Sequence, residues 1–84
     1  MMHLSIIAPN GSIFNGVVDH VMLPGALGPF QVLSHHAPTL SSLVAGQITY
    51  SVGAVSSSVA VKGGFTSIAD NQLIVVCDPI EQGH

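Results

Sequence analysis

Few side chains in this chain are able to do acid–base, nucleophilic or metal chemistry. Its 84 residues include five histidines, four acidic residues and one cysteine. His35 and His36 are adjacent, and Asp19 lies beside His20. Joined by the fold, these residues would offer ligands for a metal ion, so a small metal-dependent enzyme is one hypothesis. We favour another interpretation, in which one histidine of the pair hydrogen-bonds to loop backbone and the other meets solvent or a partner.

Familiar catalytic and phosphate-binding motifs do not occur in the sequence. It has no G-x-S-x-G, P-loop, C-x-x-C or H-E-x-x-H pattern. Residues 25–28 fall in a proline-bounded turn with no helix after it, so they do not form a phosphate loop. Cys77 has no partner for an internal disulfide and is interpreted as a buried small hydrophobe in a reducing compartment. The sequence therefore predicts no catalytic residue, no metal and no cofactor.

The charge content is unusually low. Charged residues make up 6% of the chain, against about 25% in ordinary domains. With one basic side chain and a net charge of −3, nucleic-acid binding is not expected, because each phosphate contact needs a Lys or Arg. Apolar residues reach 48%. Such a composition favours a subunit covered by partners; a neutral, Ser-rich monomer surface is the alternative.

The length predicts one domain, residues 1–79, followed by a flexible tail at 80–84. Met1-Met2-His3 lacks the basic region of a signal peptide, and no apolar run approaches the roughly 18 residues of a membrane helix. We expect an intracellular, soluble protein without direct membrane insertion.

Glycine and proline interrupt the chain too often for a helix of the usual length. What remains between them is a series of short β-branched and aliphatic segments, the pattern of an all-β, antiparallel β-sandwich of two sheets. The predicted strands are residues 4–8, 12–14, 17–23, 30–33, 39–44, 47–52, 57–62, 65–69 and 72–77.

Three local patterns refine this prediction. Residues 23–40 hold three prolines, two glycines and no charge, which indicates a rigid, folded loop around one short strand. Residues 72–77 are apolar on both faces, as in a central strand covered on both sides. Gly63 and Gly64 are interpreted as a structural turn, with a bulge or a close backbone approach as alternatives.

Six short motifs occur in a fixed order along the chain. They are Ile13-Phe14-Asn15-Gly16, Val21-Met22-Leu23-Pro24-Gly25, Gly28-Pro29-Phe30-Gln31-Val32-Leu33, His36-Ala37-Pro38, Val61-Lys62-Gly63-Gly64-Phe65 and Asp70-Asn71. In this order they resemble the N-terminal β-sandwich of the epsilon subunit of F-type ATP synthase, which is called delta in mitochondria.

The resemblance implies a sandwich of about ten short strands and a non-catalytic rotor subunit of the central stalk. Such a subunit links the gamma subunit to the c-ring and so couples proton flow to ATP synthesis, as a peripheral protein on the cytoplasmic face of the bacterial inner membrane. By position, the residues of the c-ring-facing loop would be Leu27, Gly28, Pro29, Phe30, Gln31 and Val32. The gamma-facing residues would be His36, Ala37, Pro38, Thr39 and Ser41.

The sequence departs from the family pattern in three places. Acidic residues usual in the c-ring loop are replaced by Ala26-Leu27-Gly28-Pro29, and the usual Pro-Gly before His36 is Ser34-His35. These changes predict a more apolar c-ring contact. The chain also stops where a C-terminal helical hairpin would begin, so we expect neither inhibition of ATP hydrolysis nor nucleotide binding.

A hypothesis from a different class is a free-standing β-sandwich module that binds a ligand such as carbohydrate. It requires an exposed platform of aromatic rings. The chain has only Phe14, Phe30, Tyr50 and Phe65, and no Trp.

Overall fold

The computed structural model describes residues 2–32 and 37–80, and every regular element in those ranges is a β-strand. Accordingly, these residues contain no helix that could cross a membrane. The strands are β1 (Met2–Ala8), β2 (Gly11–Val18), β3 (His20–Gly25), β4 (Gly28–Val32), β5 (Thr39–Leu43), β6 (Gly46–Val52), β7 (Val55–Ala69) and β8 (Gln72–Pro79).

The strands form two layers joined by one long strand. Their order is β2-β1-β8-β7-β5-β3-β4, and β6 pairs with both β3 and β7. The first half of the 15-residue β7 pairs with β6, and its second half pairs with β5 and β8. Across the layers, the rings of Phe14 on β2 and Tyr50 on β6 lie 4.4 Å apart. The predicted all-β sandwich is confirmed.

Two details of the predicted sandwich are wrong. The described residues form eight strands rather than about ten. Of the nine segments predicted from the sequence, residues 57–62 and 65–69 join into one strand, and the segment 17–23 is divided at Asp19 between β2 and β3. The sheet is also not purely antiparallel, since β1 and β8 run parallel. Their parallel pairing brings the first and last described strands side by side.

The dipeptides Asn10-Gly11 and Asp70-Asn71 are sequence signals for turns, and the backbone confirms both. Pro9-Asn10 forms the turn between β1 and β2, and Gly11 follows it with φ of 137°. Asp70 and Asn71 join β7 to β8 with φ of 52° and 60°, the left-handed region that a two-residue hairpin turn requires.

Gly63 and Gly64 are not a turn, which corrects the sequence prediction. They lie within β7, where the pairing with β8 shifts register between Val61 and Gly63. A Cβ on Gly64 would lie 2.8 Å from Cys77 Cα and would overlap the Val76 carbonyl oxygen. The pair therefore serves a close approach of two backbones where β7 passes between the layers.

The core lies between the layers and is almost entirely aliphatic. It is built from alternate positions of the strands, among them Leu4, Ile6, Val18, Val21, Leu23, Val32, Ile48, Val61, Leu73 and Val75, all of which are buried. On β8, Ile74 and Val76 point the other way and are 41% and 53% exposed. The prediction that this strand is covered on both sides is therefore wrong within this chain.

Of the predicted tail, Ile80 follows β8 and its amide donates a hydrogen bond to the Ala60 carbonyl at 2.9 Å. Residues 81–84 lie outside the described residues.

Candidate functional site

The hypothetical metal ligands are not brought together in the part of the chain that the structure describes. His35 and His36 lie outside it. Asp19 follows β2, and its Oδ2 accepts a hydrogen bond of 2.6 Å from the Gly53 amide. Its carboxylate therefore holds the β6–β7 turn. Within residues 2–32 and 37–80, no three His, Cys, Asp or Glu side chains are grouped as metal ligands.

Cys77 is a buried thiol at the end of β8. Burial raises its pKa, and the neighbouring Asp78 carboxylate raises it further. A raised pKa keeps the thiol protonated, which is the unreactive form. The interpretation of Cys77 as a buried small hydrophobe agrees with this environment.

The predicted c-ring-facing loop is mostly a strand. Only Leu27 lies in the turn, at residues 26–27, and the other five predicted residues form β4. Leu27 is fully exposed, and Pro29 and Gln31 are also exposed, whereas Gly28 and Phe30 are half-buried. The assignment of Val32 is wrong, because its side chain is completely buried in the core.

The β3–β4 hairpin is tied to the layer beside it. The Ala26 amide donates to the Ser42 carbonyl at 3.1 Å, and the Val44 amide donates to the Pro24 carbonyl at 2.8 Å. Gly25 has no room for a Cβ, which would lie 2.7 Å from the Phe30 ring. These contacts make the end of the hairpin a rigid support for Leu27.

Two open clefts border this hairpin. Cleft A, about 570 Å³, lies between residues 25–30 and residues 39–42 of β5. Cleft B, about 470 Å³, lies between residues 22–25 and residues 44–47. Gly25 and Pro29 line both clefts. No Asp, Glu, Lys or Arg occurs between Asp19 and Lys62, so neither cleft contains a formal charge.

The predicted gamma-facing residues divide into three groups. His36 lies outside the described residues, while Ala37 and Pro38 are exposed ahead of β5. Thr39 and Ser41 are half-buried, and Thr39 Oγ1 donates a hydrogen bond of 2.9 Å to the Ala37 carbonyl. The exposed β5 side chain between them is Leu40.

The structure also presents an apolar surface that the sequence prediction missed, the outer face of the layer formed by β1, β8, β7 and β5. Ile7 pairs with Val76, and Val76 pairs with Phe65, so these three side chains form a row across three strands. Ile74 lies beside the row on β8, and Leu40 lies on β5. We call these five residues the outer apolar face. All are exposed, with Phe65 at 67%.

A signal for this face was present in the sequence. Residues 72–77 have the apolar pattern of a strand buried on both sides, yet the chain covers only one side. A partner would supply the missing cover.

The aromatic side chains do not form a platform for a ligand. Phe14 and Tyr50 pack against each other and are half-buried, as is Phe30. Phe65 is thus the one widely exposed ring among the chain's four. This arrangement does not support the hypothesis of a free-standing ligand-binding module.

Comparison with known proteins identifies the family. Residues 1–83 match the family model described as the ATP synthase delta/epsilon chain, beta-sandwich domain. An ATP synthase epsilon chain of Desulfitobacterium hafniense is 34% identical over 80 residues, which are 95% of this chain and 61% of that protein. The epsilon chain of Caulobacter vibrioides is 36% identical over 77 residues, 92% of this chain and 90% of that protein. The chain thus spans less than two thirds of the first of these relatives.

Solved structures share the fold. A chain in the Euglena gracilis mitochondrial ATP synthase, from a structure of OSCP, F1 and c-ring in rotational state 1, matches with a TM-score of 0.86 at 19% identity, covering 99% of this chain and 56% of that one. A chain from the central stalk and c-ring of the Tetrahymena thermophila mitochondrial ATP synthase matches with a TM-score of 0.77 at 17% identity, covering 92% and 63%.

Both sequence relatives are named ATP synthase epsilon chain, which confirms the family that the motifs predict. Both the matched range and the observed strands extend over almost the whole chain. The chain therefore belongs to the delta/epsilon family of ATP synthase subunits, as its β-sandwich domain.

Proposed function

We propose that this chain is a rotor subunit of the central stalk of a proton-translocating F-type ATP synthase. It links the gamma subunit to the c-ring, so that rotation driven by proton flow reaches the catalytic head. In this role it lies at the cytoplasmic face of the bacterial inner membrane, peripheral to the embedded ring. Family membership supports the proposal, and so do the large apolar side chains exposed on the outer apolar face.

The outer apolar face is the single observation that carries the gamma contact. Phe65, Val76 and Ile7 form a continuous exposed row, and a large apolar patch of this kind on a small domain marks an interface. Leu40 is exposed on β5, and Ala37 and Pro38 are exposed immediately ahead of that strand. We assign gamma to this face, and the c-ring to the end of the β3–β4 hairpin.

Co-purification with a tagged gamma subunit tests the gamma contact. Replacing Phe65 by Asp places a charge on the outer apolar face, and we expect at least about a tenfold loss in recovery of the complex. Ser56→Asp is the matched control, because Ser56 is exposed on β7 where that strand belongs to the other layer. His36→Glu tests the predicted gamma-facing residue outside the described ranges.

If the unaltered chain is not recovered with gamma, the proposed function is wrong. If it is recovered and Phe65→Asp is recovered equally well, the assignment of the outer apolar face is wrong while the family stands.

A further inference from the structure

The chain contains two Asn-Gly pairs, Asn10-Gly11 and Asn15-Gly16, and the fold places them in different surroundings. Asparagine is thermolabile, because its side-chain amide reacts with the backbone nitrogen of the next residue. A glycine in that next position favours the reaction, since it has no Cβ to hinder the approach. Whether either pair reacts in the folded chain depends on the freedom of its backbone.

The first pair lies where the β1–β2 hairpin turns. Asn10 is exposed in the turn, and Gly11 pairs with Ala8 as the last pair of the ladder. Gly11 has φ of 137°, and nothing lies within 4 Å of the position that a Cβ would occupy, so the space beside its backbone is open. A register shift between Ile6 and Ile7 separates this end of the ladder from the rest. The end therefore opens more readily than the interior of the sheet.

The second pair is held in the middle of β2. Asn15 and Gly16 pair with consecutive residues of β1, and β1 is paired with β8 along its other edge. The Asn15 Oδ1 also accepts a hydrogen bond of 2.5 Å from His3 Nε2. Asn15 is exposed, as Asn10 is, so exposure does not distinguish the two pairs. Ring closure at Asn15 requires both this hydrogen bond and the extended strand backbone to be given up.

We propose that Asn10 is a site of spontaneous covalent modification, at which the side-chain amide is converted to a carboxylate through a cyclic imide with Gly11. The Gly11 nitrogen forms a bond to Asn10 Cγ and loses its proton. The Cγ–Nδ2 bond breaks, and the amide group leaves with that proton as ammonia. Water then opens the imide. Opening at Cγ gives aspartate, and opening at the backbone carbonyl carbon gives isoaspartate, in which the chain continues through the side chain.

Both products alter the β1–β2 turn. Each adds a negative charge to a chain whose net charge is −3. Isoaspartate also adds a methylene group to the backbone of the turn, and the length of a hairpin turn sets the register of its strands. The isoaspartate form is therefore expected to lose the pairing between Ala8 and Gly11. This inference is independent of the proposed function.

The test incubates the full chain at mildly alkaline pH, folded in dilute buffer and unfolded in concentrated urea. Mass spectrometry of the intact chain with electron-transfer fragmentation locates the converted residue and distinguishes isoaspartate from aspartate. In the folded chain, Asn10 is expected to convert at least about tenfold faster than Asn15, because only Asn15 must wait for the strand to open. In urea the two rates should differ by less than roughly threefold, since neither pair is then held.

Asn10→Gln and Asn15→Gln are the matched variants. Both keep an exposed side-chain amide, but glutamine has to close a larger ring and reacts much more slowly. The second readout, after incubation of the folded protein, is methyl transfer from S-adenosylmethionine to isoaspartate by an isoaspartyl methyltransferase. The methyl label is expected to fall at least about tenfold in Asn10→Gln and to stay unchanged in Asn15→Gln, because the turn supplies nearly all of the isoaspartate.

Three results would overturn the inference. The first is conversion of Asn15 in the folded chain at a rate within about twofold of that of Asn10, because the turn would then have no special reactivity. The second is a folded chain in which Asn10 stays intact over a period that converts it completely in urea, because the end of the ladder would then protect it. The third is methyl label that persists in Asn10→Gln, which would place the isoaspartate elsewhere.

Discussion

Gly64 shows how a single residue decides the path of the chain. Its Cα lies against the backbone of β8, where even a methyl group would overlap the Val76 carbonyl. A hairpin turn was the natural interpretation of Gly63-Gly64, because adjacent glycines usually mark a change of direction. The pattern alone does not distinguish a glycine needed for its backbone angles from one needed for its lack of a side chain.

Gly64→Ala is therefore expected to destabilise the domain by about 3 kcal/mol, because the added methyl group has no room between two backbones. Gly53→Ala is the control: Gly53 has φ of 59° but nothing within 4 Å of an added Cβ, so the cost is that of the left-handed conformation, about 1 kcal/mol. Urea unfolding of both variants measures the difference. Equal midpoints would show that the β7–β8 approach is not sterically limiting.

Among the elements, prediction succeeded where local chemistry determines the backbone. Asn10-Gly11 and Asp70-Asn71 were recognised as turns from residue types that tolerate positive φ. The continuity of β2 is not predicted, because Gly16 lies between the predicted strands 12–14 and 17–23. Gly16 instead lies under the Phe14 ring, with an added Cβ 3.1 Å from it. That contact depends on tertiary packing.

The candidate surfaces could be predicted only in part, for the same reason. Leu27 and Pro29 are exposed as expected, but Val32 is a core residue paired with Val21 on β3. Whether an apolar residue in a strand faces the core or a partner depends on the register and the covering layer. The outer apolar face is not predicted, because the sequence alone does not distinguish an apolar side chain that faces the core from one on the exposed side of a strand.

Strand β8 is buried by the core on one face and exposed on the other, and substitutions on the two faces test this difference. Val75 is completely buried, whereas Val76 is about half exposed on the outer apolar face. In the isolated chain, Val75→Ala is expected to cost about 2 kcal/mol, because it leaves a cavity, and Val76→Ala no more than about 0.5 kcal/mol. Thermal or urea unfolding measures both. A comparable cost for both variants would indicate that β8 is covered on both faces after all.

For the whole molecule, the shortage of charge determines how the domain behaves without partners. It has a single basic residue and a broad exposed apolar face. Nothing repels two copies strongly, and burying the apolar face is favourable. The isolated chain therefore exposes the surface that we propose to be covered by gamma.

We expect the isolated chain to self-associate through this face as its concentration rises. Phe65→Asp is expected to shift light scattering toward the monomer, since it introduces charge into the centre of the patch. Val55→Asp adds the same charge at the exposed β6–β7 turn and controls for the change in net charge. Should both variants reduce association equally, net charge and not the outer apolar face would be responsible.

The length of β7 has a mechanical consequence. Its backbone runs without a loop from one layer into the other, hydrogen-bonded in turn to β6, β5 and β8. A twisting load applied to one layer would therefore reach the other layer through the backbone of β7. This strand is hydrogen-bonded to its neighbours in both layers and contains no flexible loop. Separating the layers requires several ladders to break together, so in the proposed rotor the domain would turn as one stiff body.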